Sequence, residues 1–366
     1  MECLEKPIWN RYTREELFKL TVEGLNKEIY NQVLKKWDSI AKPIDGMGRF
    51  EKLTAQIGAI QGNDRIDVDK KAVVIMCADN GIVAEGVCQS SQEITVEVTK
   101  AMAQKKSSVG KMAEKIGADI IPVDIGINRE NVIDGVLNKK IRCGTRNFRK
   151  EPAMTETEVI SAIAVGIDMV YSCKKAGYQI IATGELGMGN TTTSSAITAA
   201  LLKCNVDDVT GRGAGLDDKG LQCKRRVILE AITKYDLYKS DALTILATVG
   251  GLDIAGLVGV CIGGAVYHIP IVLDGVISMV AALLAERIVP GTKHYLIPSH
   301  KGKEPAIKWL TRELNMEPVI DGNMALGEGT GAVMMLSLLD VALSVYIDGI
   351  TFSDIKIEQY ERFLHK

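Results

Sequence analysis

The chain has 366 residues, 46% of them hydrophobic and 25% charged, with a net charge of −2. That length buries a core and suggests about two domains, and the near-neutral balance gives no basis for binding nucleic acid or an anionic membrane surface. No apolar run has the ~18 residues of a spanning helix, Met1–Pro7 lacks a signal-peptide pattern, and the eight cysteines form no C-x-x-C pair, so we expect reduced thiols in a cytoplasmic protein.

In chain order, residues 12–36 read as one helix, with Leu17, Leu20, Leu25, Ile29, Val33 and Leu34 as its apolar positions. A turn at Ile44–Gly48 precedes a second helix near 49–61. Residues 72–78 form a continuous apolar run, which reads as a buried parallel strand ending at Asp79-Asn80-Gly81. Open α/β sheets bind ligands beyond such strand ends. A helix over 92–115 leads to the strand Ile120–Ile125. The polar, basic stretch 128–150, with Arg142, Arg146, Arg149 and Lys150, reads as a solvated or mobile loop. Thr155 caps a helix that runs to about Ala176.

The central stretch is Thr183-Gly-Glu-Leu-Gly-Met-Gly-Asn-Thr-Thr-Thr193. It follows the apolar run Tyr178–Ala182 and precedes a helical run that ends near Leu202. The pattern is strand, glycine-rich turn, helix, with Asn190 and the threonines as candidate N-caps. Free N–H groups at such a helix start suit a phosphate. The stretch matches neither the nucleoside triphosphate loop nor G-x-G-x-x-G, so phosphate binding and a ligand-free βα turn both stand open. A second glycine-rich loop, Gly211–Asp218, leads into a helix carrying Lys224. Gly250-Gly251 opens another helix. Ile269–Leu273 is a strand ending in Asp274-Gly275, and 277–288 is helical. Tyr295–Ile297 is a short strand before Ser299-His300-Lys301. Helices 304–314 and 331–346 close the chain. Alternating strands and helices predict an α/β fold with a doubly wound, mostly parallel sheet. Helices at both ends predict a smaller helical domain from 1–42 and 305–366 beside a substrate-binding domain, 43–304.

Three features carry possible chemistry. Glu328, flanked by glycines, is free to face a cleft as a general base or to cap the helix after it. Glu185 beside a phosphate is expected to hold a hydroxyl or N–H rather than the phosphate itself. Lys224 and Lys301, with His300, are candidate counter-charges. The four histidines His268, His294, His300 and His365 have no metal-ligand spacing, and no cofactor is expected.

Three segments occur together and in order: Glu185-Leu-Gly-Met-Gly-Asn-Thr-Thr, Gly211-Arg-Gly-Ala-Gly-Leu-Asp-Asp and Leu326-Gly-Glu-Gly-Thr-Gly-Ala. With Lys42-Pro43, Ala78–Val87 and Glu151–Thr155, they resemble the nicotinate-nucleotide–dimethylbenzimidazole phosphoribosyltransferase family over nearly the whole chain. The resemblance implies transfer of phosphoribose from nicotinate mononucleotide to 5,6-dimethylbenzimidazole or a related base. The products are α-ribazole 5′-phosphate, for the cobalamin nucleotide loop, and nicotinate. It also implies a six-stranded parallel sheet, a homodimer and Glu328 as the general base. Glu185, Gly187, Gly189, Asn190, Thr191, Gly213, Lys224, Asp274 and Ser299 would form the phosphate and ribose site. Asp79, Cys88, Val96 and Leu326 would form the acceptor pocket. Many relatives carry serine and glutamine where this chain has Cys88 and Val96, so acceptors should be read by shape over a broad range. The alternatives are the same transfer to a phenolic or purine acceptor, or a non-catalytic subunit of the same fold.

Overall fold

The structure, a computed structural model, describes residues 12–362; the N-terminal segment read for a targeting signal, and His365, lie outside them. Among the described residues the chain begins with α1 (Arg14–Phe18), α2 (Lys27–Ser39) and α3 (Arg49–Gln61). The expected single helix over 12–36 is therefore two. Thr13 starts the first with a capping box, and Asn26 starts the second by accepting from the Ile29 N–H at 3.1 Å. Each new N-cap ends the preceding run.

Next come β1 (Lys71–Ala78), α4 (Glu93–Ala103), α5 (Ser108–Lys115), β2 (Asp119–Gly126) and β3 (Leu137–Asn138). The helix expected over 92–115 breaks at Lys105, whose φ is +55°, and restarts at the Ser107 cap. After β3 follow α6 (Glu156–Lys175), β4 (Ile180–Leu186), α7 (Asn190–Leu202), α8 (Val206–Val209) and α9 (Asp218–Lys234). The remainder is α10 (Ala242–Val249), α11 (Leu252–Val266), β5 (Ile271–Leu273), α12 (Val276–Ile288), β6 (Leu296–Pro298), α13 (Ile307–Leu314) and α14 (Thr330–Asp348).

The strands form one six-stranded sheet in the order β3-β2-β1-β4-β5-β6, and every paired neighbour is parallel. Alternation along β1 supplies both faces of the sheet. Ala72, Val74, Met76 and Ala78 join the core beneath α6, α7 and α10–α12, while Val73, Ile75 and Cys77 join the core beneath α2–α5 and α14. The strand order reverses between β1 and β4, and the crevice beyond their C-terminal ends is where such sheets bind ligands.

Three further expectations are corrected. β4 runs on through Thr183–Leu186, because these residues stay in register with Val74–Cys77 of β1; the turn is only Gly187–Gly189. Loop 128–150 contains β3 and is pinned by Arg142 and Arg146 on Glu158 and by Arg149 on Glu85 and Glu230. Finally, α14 is long and apolar enough to cross a membrane by length and composition. Its Asp340 interrupts the run and pairs with Lys71 at 3.2 Å, and Ala332, Leu336, Leu339 and Leu343 are buried on the sheet.

Candidate active site

The loops beyond β4, β5 and β6, together with the start of α14, enclose a cleft of about 270 Å³. Of the residues singled out in the sequence, Glu185, Gly187, Asn190, Thr191, Gly213, Asp274, Leu326 and Glu328 line it. Gly189, Lys224, Ser299, Asp79, Cys88 and Val96 stand outside that lining.

Glu328 sits in a strained loop. Gly327, Glu328 and Gly329 have φ values of +82°, +63° and +95°. A non-glycine residue in this left-handed region costs about 1 kcal/mol or more, so the surroundings must hold it there. Asp274 is the holder. Its carboxylate accepts from the N–H groups of Gly329 at 3.1 Å, Gly331 at 2.9 Å and Ala332 at 3.2 Å. The Asp274 N–H in turn donates to Thr183 Oγ1 at 3.1 Å. The end of β5 thus fixes the first turn of α14 and aims Glu328 into the cleft. Glu328 Oε2 accepts from the Val109 N–H at 3.2 Å, at the start of α5. Burial raises the Glu328 pKa above the usual carboxylate range, the Val109 bond opposes the shift, and the Asp274 charge adds to it. A raised, cleft-facing carboxylate suits proton abstraction.

Glu185, the next-to-last residue of β4, points into the same cleft. Burial pushes its pKa up to about 8, reinforced by Asp253 and Asp274. Asn190 was expected to cap α7, yet Gly189 is the cap, at φ +90° and with no side-chain bond. The Asn190 amide is used elsewhere: its Nδ2 donates to Glu185 Oε2 and to Asp253 Oδ2, the latter at 3.2 Å. Asp253, fully buried on α11, went unnoticed in the sequence. The available signal was one carboxylate in an otherwise apolar run, two residues after Gly250-Gly251.

The phosphate candidates gather at the start of α7. Gly187 approaches so closely that a Cβ would stand 2.3 Å from the Ala78 carbonyl. Lys224 is fully buried, and its Nζ donates to Thr191 Oγ1 at 2.9 Å. Among the described residues no carboxylate lies within 4.0 Å of that Nζ, and burial pulls its pKa down to about 8. Gly213 lies beside it, its N–H donating to Glu304 Oε1 at 3.0 Å. The Glu304 charge opposes the Lys224 shift from beyond ion-pair distance, so a phosphate would supply the direct counter-charge this buried cation has room for. Lys301 does not join this group: it pairs with exposed Asp321 at 3.3 Å, and Lys303 faces the cleft instead. Ser299 is buried behind the wall, with Oγ 3.0 Å from His300 Nδ1, and it is His300 that lines the cleft. Among the described residues no three histidine, cysteine, aspartate or glutamate side chains are grouped to hold a metal ion.

The opposite wall is apolar. Helical spacing brings Ile94 and Val98 of α4 to the cleft, joined by Met188, Met324 and Leu326. Val96, half a turn away from them, is outside the lining, though like Val98 it packs against the core. Cys88 stands behind Met188, sulfur to sulfur 3.9 Å. Asp79, just past the end of β1, accepts from Thr95 Oγ1 at 2.7 Å and from the Asn128 N–H at 2.8 Å.

A family model described as phosphoribosyltransferase matches residues 22–357. The nicotinate-nucleotide–dimethylbenzimidazole phosphoribosyltransferase of Clostridium acetobutylicum is 41% identical over 340 residues, which is 93% of this chain and 97% of that protein. The enzyme of the same name from Acetivibrio thermocellus is 41% identical over 341 residues, with 93% and 97% covered. The crystal structure of CobT from Thermus thermophilus matches with a TM-score of 0.86 at 31% identity, over 91% of this chain and 100% of its own.

Proposed function

The chain belongs to the nicotinate-nucleotide–dimethylbenzimidazole phosphoribosyltransferase family, and we propose from that premise that it moves phosphoribose from nicotinate mononucleotide to a benzimidazole-type base. The observation that carries the reading is one cleft holding a strained, half-buried glutamate on one side and a fully buried lysine without an ion pair among the described residues behind the other. In this reading the donor's 5′-phosphate lies on Gly187, Thr191 and the Gly213 loop, with Lys224 as its counter-charge and Gly189 shaping the turn. Glu185, Asn190 and Asp274 hold or order the polar groups around the ribose, and Ser299 supports Asp274 from behind. The acceptor's ring lies on the apolar wall of Ile94, Val98, Met188 and Leu326.

The acceptor's unprotonated ring nitrogen attacks the anomeric carbon from the face opposite nicotinate. The bond to nicotinate breaks with its electron pair returning to the pyridinium nitrogen, which becomes neutral. The acceptor's other ring nitrogen loses its proton to the Glu328 carboxylate. A β-configured donor thus becomes an α-configured product, and no leaving-group acid is needed. Proton transfer supplies about 10²–10⁴-fold, and positioning supplies much of the rest.

We read the protein as a cytoplasmic homodimer. The seven described cysteines are free thiols, and α14 exposes Met334, Leu338 and Val341 on one face, with Ile347, Ile350 and Ile357 also exposed in the chain that follows. Such a row suits burial against a second copy. Mass spectrometry of the products from nicotinate mononucleotide and a panel of acceptors tests the activity. α-Ribazole 5′-phosphate and nicotinate support it, and absence of any phosphoribosylated base refutes it.

A further inference from the structure

Beneath the cleft, Asn190 is tied to buried Asp253, beside which lies buried Asn80, and the reaction uses neither of these two. Asp253 Oδ2 accepts from Asn190 Nδ2 at 3.2 Å, and its Oδ1 accepts from the Ile254 N–H at 3.0 Å. Asn80, at the end of β1, faces the same carboxyl group. The Asn80 amide orientation is set by Nδ2 donating to the Met188 carbonyl at 3.3 Å, which leaves Oδ1 buried without a hydrogen-bond partner.

Two glycines show how closely these groups are packed. A Cβ on Gly251 would stand 2.2 Å from Asn80 Oδ1 and 2.4 Å from Asp253 Oδ1. A Cβ on Gly187 would stand 2.6 Å from Asp253 Oδ2 and 3.4 Å from Asn80 Nδ2. The acid and the amide therefore flank the same two glycines, both Oδ1 atoms at Gly251 and Asp253 Oδ2 with Asn80 Nδ2 at Gly187. Two buried acceptor oxygens turned together repel unless a proton lies between them.

We propose that Asp253 is a positioning residue, held as the neutral acid, which shares its proton with Asn80 Oδ1 and fixes the Asn190 amide so that Glu185 is aimed into the cleft. The inference rests on the phosphoribosyl-transfer reading, because it assigns Glu185 a place beside the donor. It joins the end of β1, the end of β4, the first turn of α7 and the first turn of α11 through side chains alone. Burial also raises the Asp253 pKa to about 7, against the hydrogen bonds from Ile254, Asn190 and Asn80 that favour its charged form. An ionised Asp253 would leave Asn80 Oδ1 facing a negative charge.

The test uses Asp253→Asn, Asp253→Ala, Asn190→Ala and the Asp253→Ala/Asn190→Ala double variant in the full-length protein. In Asp253→Asn the amide nitrogen donates to Asn80 Oδ1 and the amide oxygen accepts from Asn190, as the neutral acid does, but that nitrogen cannot accept from the Ile254 N–H that Asp253 Oδ1 serves, so the melting temperature should fall. We expect that variant to keep kcat within about threefold of native. Asp253→Ala should lose about tenfold or more in kcat with little change in donor KM, since the orientation of Glu185 is lost rather than the phosphate contacts. The double variant should lose no more than Asn190→Ala alone, and the melting temperatures should be non-additive in the same sense. Asp253→Asn as impaired as Asp253→Ala, or additive losses in both kcat and melting temperature, would overturn the proposal. The melting-temperature cycle needs no turnover. It therefore tests the clamp even if the native protein makes no product, an outcome that would count against the functional reading alone.

Discussion

Replacing Lys224 with methionine should weaken donor binding without weakening the fold. Nζ is buried, has Thr191 Oγ1 at 2.9 Å as its hydrogen-bond acceptor, and has its pKa pulled from 10.5 to about 8 by burial. At about 1.4 kcal/mol per pKa unit, the charged form costs the empty protein about 3 kcal/mol. Methionine fills similar volume without that charge, and such replacements are commonly neutral or stabilising. The native-state pKa lies below the unfolded one, so the unfolded chain binds more protons between about pH 8 and 10.5. Native stability should therefore rise with pH across that window, and Lys224→Met should flatten the rise. Donor binding should change the other way. Loss of one charge-assisted hydrogen bond, about 1.5–3 kcal/mol, weakens nicotinate mononucleotide binding by about 10- to 100-fold. Nicotinate riboside, which has no phosphate, should bind poorly to both proteins and equally. Calorimetric titration and thermal melts across pH 7–10 measure both effects. Unchanged affinity for the nucleotide, together with a large loss of stability, would show that Lys224 supports the fold and not the phosphate.

Other outcomes follow from the same geometry. Asp274→Asn replaces an acceptor of three N–H groups with an amide that matches them poorly, so kcat should fall by about 10²-fold or more and the melting temperature should drop; native kinetics would detach the α14 start from catalysis. The acid limb of kcat/KM should lie above the ordinary carboxylate range, because activity needs ionised Glu328 and burial raises its pKa; activity should be lost as pH falls through that value, and a limb at an ordinary glutamate pKa would contradict the assignment. In competition among 5,6-dimethylbenzimidazole, benzimidazole, adenine and p-cresol, the apolar wall of Ile94, Val98 and Met188 should admit several acceptors. Val96→Gln should leave the order unchanged, since Val96 is outside the cleft lining; exclusive use of dimethylbenzimidazole would refute reading by shape. Val341→Asp should shift the light-scattering mass from dimer to monomer, and a native monomer would refute the α14 interface.

The sequence exposed the site where composition and position carried one signal. The apolar run of β1 reads as a buried strand, and its residues alternate between two cores. Glu328 stands out because glycines flank it, and three consecutive left-handed residues explain why they do. The central turn reads as longer than it is because Gly184 looks like a turn residue, whereas tertiary pairing with β1 keeps it in the strand. Leu137–Asn138 has no strand signature of its own and pairs only because β2 presents an open edge. Local capping chemistry points Asn190 at the helix start, while its amide is taken by Glu185 and Asp253, the latter 63 positions away in sequence. The family resemblance puts Val96 in the pocket, and helix phase turns its neighbours Ile94 and Val98 toward the cleft instead.

The central claim is that Glu328 takes the acceptor's proton during phosphoribosyl transfer. Single-turnover mass spectrometry with nicotinate mononucleotide and 5,6-dimethylbenzimidazole, on native protein and Glu328→Gln, tests it most directly. The account predicts α-ribazole 5′-phosphate and nicotinate from the native protein, and formation slowed by at least about 10²-fold in Glu328→Gln with donor affinity little changed. Product at the native rate from Glu328→Gln would contradict it.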